Sequence, residues 1–202
     1  MTNSLTTHRI KTAVLISGYG SNLQALIDAC AEPDFPATLS LVISNVANVK
    51  GLERASAAGI PSIVIPHGNY TSREAFDNAM DAALAHHAIE LVCLAGFMRV
   101  LSKTFTQQWA GKLINIHPSL LPKYKGLNTH ARALEAGDPE HGATVHWVTP
   151  ELDSGEIIVQ KAIPILAGDT PELLKQRVHV LEHMLYPAAL EIVAKGMLAE
   201  AS

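Results

Sequence analysis

Aromatic residues make up only 5% of this 202-residue sequence, and charged residues only 17%. A core with so few rings must be aliphatic, and a 48% hydrophobic fraction supplies it. That balance excludes a disordered chain. Positive charge is not in surplus: 15 Lys and Arg face 19 Asp and Glu, for a formal net charge of −4. A general nucleic-acid binder needs a basic face, so no nucleic acid is expected as a partner, although a local basic pocket for one anionic ligand is compatible with these numbers. Cysteine is scarce too. Cys30 and Cys93 are far apart, sit in apolar segments and form no CxxC pair. The expectation is two buried free thiols rather than a disulfide, a metal site or a nucleophile. No apolar run reaches the roughly 20 residues that span a bilayer, and the polar stretch Met1 to Lys11 lacks the apolar centre of a secretory signal. A soluble protein of a reducing cytoplasm is expected, with no membrane contact.

What is present is an alternation. Residues 12–17 (TAVLIS), 39–44 (LSLVIS), 62–65, 91–95 (LVCLA) and 113–116 are short apolar runs. Each reads as a strand buried on both faces. Helical spacing separates them, from Leu23 onward and over 52–58, 72–87 and 102–109. The pattern predicts one α/β domain over 1–202, a mostly parallel twisted sheet flanked by helices with right-handed crossovers. Residues 1–110 approximately form a Rossmann-like half. Beyond about residue 111 the character changes: 143–148 and 156–163 read as antiparallel or mixed strands joined through Asp153-Ser154-Gly155, a turn signal. Thr170 and Pro171 supply an N-cap and first turn for a last helix, expected to run to about Lys195.

In such sheets ligands collect outside the carboxyl ends of the strands. Three loops fall there. The first, Gly18-Tyr19-Gly20-Ser21-Asn22, follows the first strand. It is not a full dinucleotide fingerprint, because Leu23 stands where the third glycine belongs, and no GK[ST] marks a Walker loop. Two glycines followed by Ser21 and Asn22 at a helix N-terminus suit a phosphate monoester; a tight turn with a polar cap accounts for them equally well. The second loop is Gly96 to Arg99. The third is Asn115-Ile116-His117-Pro118-Ser119. Residues i and i+2 of an extended chain share a face, and the proline after His117 biases it to an extended backbone. Asn115 can donate to a developing oxyanion and His117 can move a proton near neutral pH. Asp153 is the best carboxylate to fix the His117 tautomer and stabilise its imidazolium. A structural histidine holding a proline-rich loop is the alternative. Ser119 has no GxSxG around it, and the ten histidines show no HExxH-type spacing, so a serine hydrolase and a metal site are both weak readings.

The run Asn115-Ile116-His117-Pro118-Ser119-Leu120-Leu121-Pro122-Lys123-Tyr124 with Gly126-Leu127 resembles the signature of the folate-dependent formyltransferases. Further segments recur at family-like positions: Leu15 to Gly18, Gly20 to Ala25, Ser72 to Ala75, Leu94 to Leu101, Glu151 to Gly155, and Glu182-His183 with Tyr186-Pro187. Several independent motifs in order, over nearly the whole chain, make the resemblance specific. It is strongest to the branch that formylates glycinamide ribonucleotide in purine synthesis.

The resemblance implies transfer of a formyl group from the co-substrate 10-formyltetrahydrofolate to the amine of 5′-phosphoribosylglycinamide, by a monomer or homodimer with no metal. It implies a catalytic trio of Asn115, His117 and Asp153, and a nucleotide site of Gly20, Ser21, Asn22 and Glu182. It places the folate against Arg73, Met98, Arg99, Val100, Leu101 and Asn115, in a cleft between a phosphate-binding half (1–110) and a catalytic half (111–202). Without it, Arg73 reads as a helix-surface residue, Glu182 as a solvated acid, and residues 97–101 as core followed by a solvated arginine. Three positions depart from the family pattern: Tyr19 between the two glycines, Lys125 before Gly126, and Asn128 before Thr129-His130. Two relatives are rivals. A formyltetrahydrofolate hydrolase is expected to carry an additional N-terminal domain, and a methionyl-tRNA formyltransferase an RNA-binding C-terminal domain with positive charge. A nucleotide-binding module without catalysis is the non-enzymatic alternative.

Overall fold

The computed structural model describes residues 8–201. The stretch Met1 to Thr7, most of the polar segment judged unlike a secretory signal, lies outside them.

Seven strands form one sheet in the order β3-β2-β1-β4-β5-β6-β7. β1 (Ile10–Ile16), β2 (Ala37–Ser44), β3 (Ser62–Val64), β4 (Leu91–Leu94) and β5 (Leu113–His117) are mutually parallel. β6 (Glu140–Trp147) and β7 (Ile157–Pro164) continue the sheet as antiparallel strands. The sheet is therefore continuous through both halves of the chain.

Period-two alternation explains why the parallel strands are apolar throughout. Val14 and Ile16 of β1 face one side with Cys93 and Ile114, whereas Ala13 and Leu15 face the other with Val92 and Leu113. The first side is covered by α1 (Ser21–Cys30) and α6 (Pro171–Glu200), the second by α3 (Arg73–His86) and α4 (Lys103–Gln108). Cys30 and Cys93 are free and buried, as expected, and burial pushes the Cys30 thiol up to about 12. Tyr186 fixes α6 across the strands: it is fully buried, and its hydroxyl points at the carbonyls of Leu94 (2.9 Å) and Ile114 (3.3 Å). Ser72, Ser102 and Thr170 cap α3, α4 and α6, each accepting from a backbone N–H of the first turn.

Five elements differ from the sequence reading. α6 continues past Lys195 to Glu200, because Gly196 remains inside the helix instead of ending it. β6 begins at Glu140 rather than 143: Gly142 lets the Lys161 carbonyl of β7 approach so closely that a Cβ would lie 2.1 Å from it. A short α5 (Thr129–Glu135) and a 3-10 turn (His67–Asn69) had no sequence signal. α2 (Lys50–Ala57) lies one or two residues earlier than expected.

The parallel registers Leu15 to Leu94 and Leu94 to Asn115 bring the ends of β1, β4 and β5 to one edge. The strand order reverses between β1 and β4, which is where an open α/β sheet leaves a crevice.

Candidate active site

β5 lies between parallel β4 and antiparallel β6, so Asn115 and His117 stand on a strand held from both sides. Opposite Asn115 is His146. Its Nδ1 lies 2.9 Å from the Trp147 carbonyl, and its Nε2 lies 3.2 Å from Asn115 Nδ2. A carbonyl can only accept, so Nδ1 carries the hydrogen and Nε2 offers a lone pair to the Asn115 amide. Burial holds His146 below the ordinary imidazole range, which keeps it neutral at pH 7. One amide hydrogen of Asn115 is thereby anchored, and the group is oriented with its second hydrogen still to give.

Asp153 sits in the left-handed region (φ 47) in the turn between β6 and β7. That conformation suits Asp better than most side chains. It turns the carboxylate back to the sheet edge, where Oδ2 lies 3.4 Å from His117 Nδ1 and Oδ1 lies 3.7 Å from His146 Nε2. The backbone N–H of Gly126 also donates to Oδ2, at 2.8 Å. The side chains of His117 and Asp153 are each 8% exposed, so their attraction is poorly screened by water. His117 Nε2 donates to the Tyr124 carbonyl at 2.9 Å. His117 thus stands with an acceptor-only carbonyl on one ring nitrogen and the Asp153 carboxylate facing the other. The structure thus brings the three residues together around β5 and adds His146, which sequence reasoning did not single out.

A cleft of about 860 Å³ opens beside this polar nest, a size suited to a cofactor-sized molecule. Residues 97–101 form one wall, 126–131 and 148–153 line the others, and Asn115 and His117 lie at its base. Met98 and Val100 are 68% and 55% exposed, and Leu127 and Leu152 are 74% and 56% exposed, so apolar surface faces the opening from both sides. Arg99 and Leu101 also line it. Arg73 is placed differently: it is exposed at the start of α3, off the cleft lining, with its charge acting on the buried carboxylate of Asp77.

The glycine loop has the expected strand-turn-helix form. Gly20 is left-handed (φ 73), and a Cβ there would lie 2.7 Å from the Gly51 Cα. Ser21 opens α1, whose first turn receives no side-chain cap. Asn22 does not simply face solvent: its Nδ2 donates to Glu182 Oε2 at 3.0 Å, linking α1 to α6 across 160 positions of sequence. Glu182 is 3% exposed, and burial pushes its carboxyl above the usual range although Asn22 and the charges of His117 and Lys175 oppose this. Gly20, Ser21, Asn22 and Glu182 therefore form one neighbourhood, separate from the lining of the apolar cleft.

Sequence reasoning did not assign the 149–152 and 126–131 walls to the cleft, although Gly126-Leu127 and Glu151-Leu152 fall within family-like segments. His146 had a signal, since it shares a strand face with Thr144 in an alternating run.

Residues 10–190 match the family described as Formyl transferase. The chain is 50% identical over 185 residues to the phosphoribosylglycinamide formyltransferase of Escherichia coli (strain K12), covering 92% of this chain and 87% of that one. The phosphoribosylglycinamide formyltransferase of Coxiella burnetii, a solved structure, superposes with a TM-score of 0.89 at 49% identity, covering 94% of this chain and 89% of that one. The human trifunctional purine biosynthetic protein adenosine-3 is 52% identical over 199 residues, of which this chain spans 20% of the length. The chain belongs to the formyl transferase family.

Proposed function

We propose that this protein is a phosphoribosylglycinamide formyltransferase, moving the formyl group of 10-formyltetrahydrofolate to the glycine amine of 5′-phosphoribosylglycinamide in purine synthesis. The observation that carries the reading is the polar nest of Asn115, His117 and Asp153 at the base of an apolar cleft of about 860 Å³.

The apolar surfaces of Met98, Val100 and Leu152 suit the flat face of a folate, and Arg99 suits its acidic end. The bound folate supplies an electrophilic formyl carbon and a nitrogen leaving group. Gly20, Ser21 and the α1 N-terminus hold the phosphate of the ribonucleotide, and the Glu182 carboxylate accepts from its hydroxyl or amine groups. Asn115, held by His146, donates its remaining amide hydrogen to the charge building on the formyl oxygen. His117 adds a positive charge balanced by Asp153. When Nε2 is released from the Tyr124 carbonyl, its proton has a path to the reacting groups. His117 and Asp153 are the two groups placed to carry the amine proton to the departing nitrogen.

The phosphate loop thus belongs to the first 110 residues, and most of the catalytic groups to the rest. The net charge of −4 and two buried thiols fit a cytoplasmic enzyme of small molecules, as a monomer or homodimer. The test is to supply both substrates and look for the N-formylated ribonucleotide. Its formation at a rate proportional to enzyme is expected; no product from active folate would overturn the reading.

A further inference from the structure

His67 lies outside the cleft, in the 3-10 turn after β3 (His67–Asn69), yet two separate chains of contact run from it to the same short segment of cleft wall. The first is polar. The N–H of Met98 donates to Ser17 Oγ at 2.8 Å, and the Ser17 hydroxyl donates to Asn45 Oδ1 at 2.6 Å. Asn45 Nδ2 then faces His67 Nδ1 at 3.2 Å. Once Asn45 Oδ1 accepts from the serine, its NH2 is the donor toward His67 Nδ1; the same nitrogen lies 3.4 Å from the Asn45 carbonyl, and the tautomer with its lone pair on Nδ1 is the one that completes the chain through the shorter contact. Asn45 is 4% exposed, so the interior amide depends on these partners. The second chain is apolar. The His67 ring meets Phe76 edge-on at 6.4 Å between centroids, and Phe76 lies parallel to Phe97, also at 6.4 Å. Phe97 and Met98 are neighbours in sequence, and both line the cleft.

We propose that His67 is a positioning residue for the folate wall, acting through Asn45 and Ser17 on the Met98 backbone and through Phe76 on the Phe97 ring. The segment needs such support. It follows Gly96, which is left-handed (φ 71), and Met98 is 68% exposed, so little packing holds it from the solvent side. The relay ties it to the ends of β1 and β2, the rigid part of the sheet. An aromatic alone at position 67 would keep the ring contact and lose the polar one. An asparagine keeps an acceptor close to where Nδ1 stands.

The inference rests on the folate reading of the cleft, and its test has one arm that does not. That arm is hydrogen exchange of the Met98 amide in the enzyme without ligands. In His67→Phe it should exchange about fivefold to tenfold faster, the size of one hydrogen bond's net contribution. His67→Asn should bring it back to within about twofold of the original. The second arm is kinetic: His67→Phe should raise the KM for folate about fivefold and leave the KM for the ribonucleotide and the kcat within about twofold. Ser17→Ala cuts the relay at its centre and should reproduce the exchange result. Unchanged Met98 exchange in both His67→Phe and Ser17→Ala would overturn the proposal. So would His67→Asn behaving like His67→Phe, or a rise of both KM values together. Loss of Met98 protection in a protein with no transferase activity would uphold the relay and sink the functional reading instead.

Discussion

The two ends of the site are built in opposite ways. At the base of the cleft, Asn115 and His117 stand on a central strand, and the groups of the nest hold one another: His146 holds Asn115, Asp153 and Tyr124 hold His117, and Gly126 holds Asp153. At the mouth, Met98, Val100, Leu127 and Leu152 are more than half exposed and sit on loops. A fixed, water-poor base suits charge that changes during reaction, because preorganised dipoles cost nothing to align at that moment. A loose apolar wall suits binding, where area removed from water matters more than angle. Chemistry and affinity should therefore be separable by mutation.

The separation would break most visibly at Asp153. Asp153→Asn removes the charge opposite His117 and offers an amide that can donate to the wrong nitrogen, so kcat should fall by about 10⁴-fold with KM for folate changed little. Steady-state kinetics with both substrates varied checks this; a kcat near the original would remove Asp153 from the machinery. Asn115→Ala deletes one oxyanion donor and should cost about 10²–10³-fold in kcat. A smaller loss would mean that His117 alone meets the charge. At the mouth the prediction reverses. Val100→Ala removes partly exposed methyl groups and should raise the folate KM by about threefold, with kcat preserved. A fall in kcat there would show that the wall positions the reacting atoms and does more than bind.

The smallest expected effect is on stability. Burial lowers His130 from its ordinary 6.5 to about 4, and burial also lowers His141, His146, His179 and His183. A folded value below the unfolded one means that the unfolded chain binds more protons. The stability these groups contribute is present above pH 6.5 and is lost as the pH falls toward the folded values. Tm should decline from pH 7 to pH 5, and His130→Gln should make that decline shallower. An equal slope in the variant would assign the loss to the other histidines.

This contrast also explains what could be read in the sequence. Strands buried on both faces announce themselves, and β1, β2, β4 and β5 fell within two residues of expectation. The i and i+2 relation of Asn115 and His117 is a property of any extended chain. Their partners are not local. Asp153 reaches His117 because β6 and β7 return antiparallel beside β5, and Asn22 meets Glu182 because α6 crosses α1. Asp153 could be nominated from its turn residues and from family resemblance, whereas His146 looked like one residue of an alternating strand. α5 escaped because its N-cap, Asn128, is left-handed (φ 57) and makes no side-chain cap bond, so no capping pattern marks it. Loop walls such as 149–152 acquire their role only when the sheet places them over the trio.

In the proposed reaction the nest passes a formyl group to an amine and does not release it to water. The most direct measurement is the spectroscopic rate of 10-formyltetrahydrofolate deformylation with and without phosphoribosylglycinamide. Turnover is expected only when the ribonucleotide is present. Equal turnover in its absence would contradict that reaction and assign the same trio to hydrolysis.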